Sequence, residues 1–97
     1  MTIDQFADIT RRVILKDSPE KFLPTALYPS RLEIVALDDL PAVDDPVALA
    51  VEWASSRARG GEEFLLAVLL TPEQFVVVHQ HDGTLETRRF DLVSPAA

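Results

Sequence analysis

This chain contains no cysteine, which excludes disulfide staples, thiolate nucleophiles and thiolate metal ligands. It has only three glycines, and none belongs to a phosphate-cradling loop. Arg57-Ala58-Arg59-Gly60-Gly61 is followed by Glu62 instead of a lysine and a hydroxyl residue, and its glycines end a helical pattern where a Walker loop would open one. No apolar run approaches the roughly 18–20 residues that a membrane-crossing helix needs. The longest, residues 64–70, is strand-sized. Met1-Thr2-Ile3-Asp4 lacks the basic start and apolar core of a leader peptide, so the expectation is a soluble, cytoplasmic protein. Basic charge is scarce as well: 9 Lys and Arg stand against 16 Asp and Glu, a net charge of −7. That balance disfavours nucleic acid and anionic membranes as partners, because both are held by cations that neutralise phosphate.

Nucleophile machinery is also missing. Ser55-Ser56 has no elbow context, and no spacing argument brings a histidine beside it. The expectation is no catalytic residue and no cofactor, a balance that favours a non-enzyme over an enzyme.

What is present is a core. An apolar share of 47% excludes a disordered chain, and 97 residues suffice for one domain, expected over 1–93 with 94–97 as a frayed tail. Residues 62–92 carry the strongest pattern. The run 64–70 is apolar on both faces, as in a strand covered on both sides. Thr71-Pro72-Glu73-Gln74 places proline where a type I turn wants its fixed φ, and 75–79 resumes as a β-branched run. Asp82-Gly83 then offers the positive-φ pair of a tight hairpin before 85–92.

Upstream, Thr2-Ile3-Asp4-Gln5 has the form of a capping box, and Ile3, Phe6, Ala7, Thr10, Val13 and Ile14 make one helical stripe, predicting a helix over 3–15. A short strand at Val13-Ile14-Leu15 is the alternative. Ser18-Pro19-Glu20 is a second helix-start signal, cut short by Pro24. Residues 17–30, punctuated by Pro19, Pro24 and Pro29, read as a connector pinned by Phe22, Leu23, Leu27 and Tyr28. Residues 31–37 read as a strand. Asp45 is a good cap for a helix opening at Pro46, with Val47, Ala50, Val51, Ala54 and Ala58 as its inner stripe and Gly60-Gly61 as its stop.

The expected fold is α+β with topology α-β-α-β-β-β. Two main helices accompany a four-stranded mixed sheet ordered 31–37, 64–70, 75–79, 85–92. Its first pair would be parallel, through a right-handed crossover, and the rest an antiparallel meander. The two apolar strands would be central and the charged ones at the edges. Two helices just cover one face of such a sheet, so either they divide between the faces or another chain covers the bare one.

Three features are candidates for function. His79-Gln80-His81 puts two imidazoles on one side of a strand, and a two-residue loop at Asp82-Gly83 would set Glu86 opposite His79 as a third ligand. His-x-His occurs often by chance and the third ligand hangs on an assumed register, so the expectation is no specific metal site. The window from Glu33 to Glu52 holds six acids and no base. Its Asp38, Asp39, Asp44 and Asp45 follow a strand and precede a helix, without the spacing or glycine of an EF-hand. They and Trp53 are candidate interaction residues. The leading expectation is a small acidic interaction or accessory module that self-associates as a homodimer, or binds a protein partner, through an apolar sheet face. The alternatives are a metal-assisted enzyme using His79, His81 and Glu86, and an immunity- or antitoxin-type protein that holds a basic partner against the acidic window.

Overall fold

In the computed structural model, which describes residues 1–17, 22–34 and 45–92, the elements run α1 (Ile3–Asp17), β1 (Thr25–Tyr28), β2 (Arg31–Ile34), α2 (Pro46–Arg57), a 3-10 turn (Arg59–Gly61), β3 (Phe64–Thr71), β4 (Gln74–His81) and β5 (Thr84–Asp91). The class is α+β, with two helices and one five-stranded sheet in the order β2-β1-β3-β4-β5. Every neighbouring pair is antiparallel.

The expected four-stranded mixed sheet is therefore corrected by one insertion. β1 lies between β2 and β3, so β2 runs in the direction of β3 but is not its neighbour, and the expected parallel pair does not form. The reason lies in the prolines. Pro24 precedes β1 and Pro29-Ser30 makes the turn after it, so they bound a four-residue strand without removing a donor from its ladder. The charged strands β2 and β5 do lie at the edges, as the composition implied.

Local signals set the other elements. Thr2 and Gln5 close the capping box of α1, with the Thr2 amide donating to Gln5 Oε1 at 2.9 Å and the Gln5 amide to Thr2 Oγ1 at 3.2 Å. The helix continues through Val13-Ile14-Leu15, which rules out a strand there. Asp45 caps α2 by accepting from the Ala48 amide at 3.1 Å, and Pro46 occupies its first turn. Thr71 Oγ1 accepts from the amides of Glu73 and Gln74, tying the β3–β4 turn. Asp82 and Gly83 take φ of 49° and 76°, the left-handed pair that a tight hairpin demands.

The two helices cover opposite faces of the sheet. α1 buries Ile3, Phe6, Ala7 and Ile14 against Leu65, Ala67, Phe75 and Val77. α2 buries Ala50 and Ala54 against Ala26, Tyr28, Phe64, Leu66, Val68, Val76 and Val78. This split explains why β3 is apolar from Phe64 to Leu70: both of its faces are core. No face is left wholly bare. Val13 and Leu23, expected inside, are largely exposed, whereas Tyr28 is fully buried. The helix start at Ser18, the strand continuation over residues 35–37, and the tail 94–97 lie outside the described residues.

Candidate functional site

The imidazoles of His79 and His81 project from the same side of β4, their centroids 4.6 Å apart. The β4–β5 ladder pairs His79 with Glu86, the register that a two-residue loop at Asp82-Gly83 implies. One ligand atom from each of His79, His81 and Glu86 lies within 4.8 Å of the other two. A fourth group was not legible in the sequence. Glu63, just before β3, brings Oε2 to 3.2 Å from His79 Nε2. The contact is close but misaligned, so Nε2 is buried without a hydrogen-bond partner among the described residues. His79 keeps 13% of its side chain exposed, while His81 is more open and has Asp82 Oδ2 3.7 Å from its Nδ1. Leu65, the β3 partner of His79, places the cluster on the α1 face. There Glu63 and Leu65, with Met1, Leu27, Tyr28 and Pro29, line a cleft of about 220 Å³.

A second polar assembly sits on the α2 face, around Arg31. Its guanidinium carbon lies 3.9 Å from the centroid of the Tyr28 ring, its cross-strand partner. Nη2 donates to the Arg57 carbonyl at 2.6 Å, and Nη1 makes a charge contact with Glu62 Oε1 at 2.6 Å whose alignment falls short of a hydrogen bond. Glu33 Oε1 stands 3.9 Å from both Arg31 and Arg57. The Tyr28 hydroxyl donates to the Ala54 carbonyl at 2.9 Å and so ties β1 to α2. Burial foremost, and then the charge of Glu33, raises the Tyr28 phenol above its ordinary range. The Glu62 carboxylate is held below its own range, first by the hydrogen bond from the Arg59 amide and then by Arg31. These groups form a structural lock, since each partner belongs to the fold.

The acidic window is thus partly accounted for. Asp45 caps α2, Glu33 faces two arginines, and Glu52 is exposed on α2. Asp38, Asp39 and Asp44 lie outside the described residues. Trp53 is half-buried at the edge of the α2 core, with the Arg57 guanidinium carbon 4.6 Å from its ring centroid.

A third feature is apolar. The pairing of Leu27 with Leu65, and of Leu32 and Ile34 with Leu27 and Thr25, puts Leu32 and Ile34 on the α1 face. Each exposes 57% of its surface. α1 does not reach them. Its Asp4 and Arg11 contact Arg88 and the Asp91 carbonyl on the β5 side. At about 100° per residue, Ile9 and Val13 then fall on the opposite flank, toward β1 and β2, each 45% exposed. Among the described residues, these four side chains border one uncovered end of the sheet. The equivalent overhang on the other face, where β5 extends beyond α2, carries Thr87 and Arg89 beside Leu85 and is more polar.

No helix of the described residues is long and apolar enough to cross a membrane. Comparison with protein-family models, curated proteins and solved structures finds no match for this chain.

Proposed function

We propose that this protein is a non-enzymatic interaction module that self-associates through the apolar strip of Ile9, Val13, Leu32 and Ile34. The observation carrying the reading is the shared orientation of these side chains beside an edge strand, where each leaves about half of its surface exposed. A coherent apolar patch of a few hundred Å², on the order of the largest found on a typical monomer, is often functional. It is smaller than the roughly 800 Å² that each partner contributes to a standard interface, which argues for a weak, micromolar homodimer over an obligate one. Face-to-face contact is favoured over edge pairing, because β2 carries Arg31 and Glu33. The acidic window lends less support to a basic partner, since Glu33 and Asp45 are already engaged within the fold.

Sedimentation equilibrium across the micromolar range tests the proposal. The parent should shift from its 10.8 kDa monomer toward twice that mass. A Leu32→Glu, Ile34→Glu double variant, altered only at exposed positions, should stay monomeric with an unchanged circular dichroism spectrum. A parent that remains monomeric throughout, or a variant that dimerises equally well, overturns it.

A further inference from the structure

Beyond this interaction reading, we infer that His79, His81 and Glu86 form a binding site for a borderline divalent transition metal of the Zn²⁺ or Ni²⁺ type, with Glu63 positioning the His79 ring. The expectation against a metal rested on an unknown register and on only two sure ligands. The hairpin supplies the third, because His79 and Glu86 are paired across β4 and β5. The turn from the 3-10 segment into β3 adds a carboxylate behind the site, because Glu63 Oε2 lies 3.2 Å from His79 Nε2 and can orient that ring without joining the three convergent ligand atoms.

The convergence of one ligand atom from each of His79, His81 and Glu86 is the strongest single argument. His79 Nε2 is buried without an aligned partner and has Glu63 Oε2 3.2 Å away, which places a carboxylate where it can hold the ring orientation. The donors from His79, His81 and Glu86 lie within 4.8 Å of one another. Tetrahedral zinc, with bonds near 2.0–2.1 Å, wants its donors about 3.4 Å apart. The remaining contraction is small, and the side chains that must swing inward, His81 and Glu86, are partly or fully exposed and free to do so.

Donor chemistry selects the metal class. Two imidazoles with carboxylates suit zinc and its first-row neighbours, whereas magnesium and calcium seek all-oxygen shells. The scaffold is favourable too, since the ligands come from β4 and β5, adjacent strands of one sheet, and Glu63 stands at the residue leading into β3. A bound ion would therefore clip β4 and β5 together on the α1 face, independently of the strip at Leu32 and Ile34.

Isothermal titration of the untagged, chelator-stripped full chain with ZnCl₂, NiCl₂ and, as a control, MgCl₂ tests the site. One Zn²⁺ or Ni²⁺ per chain is expected, with no saturable uptake of Mg²⁺ and with affinity rising with pH as metal and protons compete for the histidines. His81→Ala and Glu86→Gln change only partly or fully exposed side chains, so their circular dichroism spectra in chelator should match the parent. Each should weaken Zn²⁺ binding at least about tenfold, and Glu63→Gln by a comparable factor. Absence of saturable binding in the parent, or binding that survives unchanged in the His81→Ala, Glu86→Gln double variant, overturns the inference.

Discussion

Replacing Tyr28 by phenylalanine removes one oxygen and leaves everything else that this ring does in place. The hydroxyl donates to the Ala54 carbonyl at 2.9 Å inside the α2 core, where Tyr28 is only 2% exposed. That carbonyl also accepts from the Ala58 amide at 3.0 Å, so the deletion does not orphan it. The expected cost is the net value of an ordinary hydrogen bond, about 1 kcal/mol, and not the larger penalty for a stranded buried group. The ring keeps its contact with Phe64, at 5.8 Å between centroids, and its place under the Arg31 guanidinium, so no cavity term is added. For a domain of this size about 1 kcal/mol corresponds to a fall of roughly 4–8 °C in Tm. The variant should also differ at high pH. Because the folded-state pKa of Tyr28 is raised above its unfolded value near 10.0, its contribution is fully present below pH 10 and is lost as pH rises through the folded value. The parent should therefore lose stability above pH 10 more steeply than Tyr28→Phe, with the other titrating groups common to both. Thermal denaturation followed by circular dichroism at neutral pH and along the alkaline limb decides it. A variant as stable as the parent at neutral pH, or one whose alkaline limb is equally steep, would refute the assigned role of the hydroxyl.

Two further outcomes follow from the same packing. Asp45→Ala should cost about 1 kcal/mol through loss of the α2 cap, whereas Ala54→Asp should cost several-fold more, because it forces a charge into a fully buried position against the sheet; similar urea midpoints for the two would mean that α2 packs in another phase. Glu62→Gln should flatten the acid limb: with its folded pKa depressed, Glu62 contributes stability above its unfolded value near 4.5 that disappears as pH falls through the folded one, so identical parent and variant urea midpoints from pH 7 down to acid would contradict the Glu62–Arg59–Arg31 arrangement.

The elements most readable in the sequence are those whose causes are local. The capping box of Thr2 and Gln5, the Asp45 cap with Pro46 behind it, and the Asp82-Gly83 hairpin each satisfy backbone groups within a few residues of themselves, and all three form as the pattern implies. His79 and His81 share a side because strand periodicity alone puts them there, and Glu86 meets His79 because a two-residue loop sets the register. β1 was hidden because four residues between prolines carry too little periodicity to declare a strand, and its pairing with β3 joins positions some forty residues apart. Glu63 at His79, and Arg31 between Tyr28 and Glu62, were illegible for the same reason: neither contact can be assigned until the strand order is known.

By itself, then, the sequence determined where the two main helices begin, where the β3–β4 and β4–β5 hairpins turn and that the strand over residues 64–70 must be covered twice. Only the tertiary structure decided that α1 and α2 supply those two covers from opposite sides, leaving Leu32 and Ile34 uncovered by either helix and Glu63 against His79. The physical reason is range. Capping and turn geometry are settled by bonds and sterics within a few residues, whereas strand order and helix placement depend on how much apolar surface each alternative buries across the whole chain.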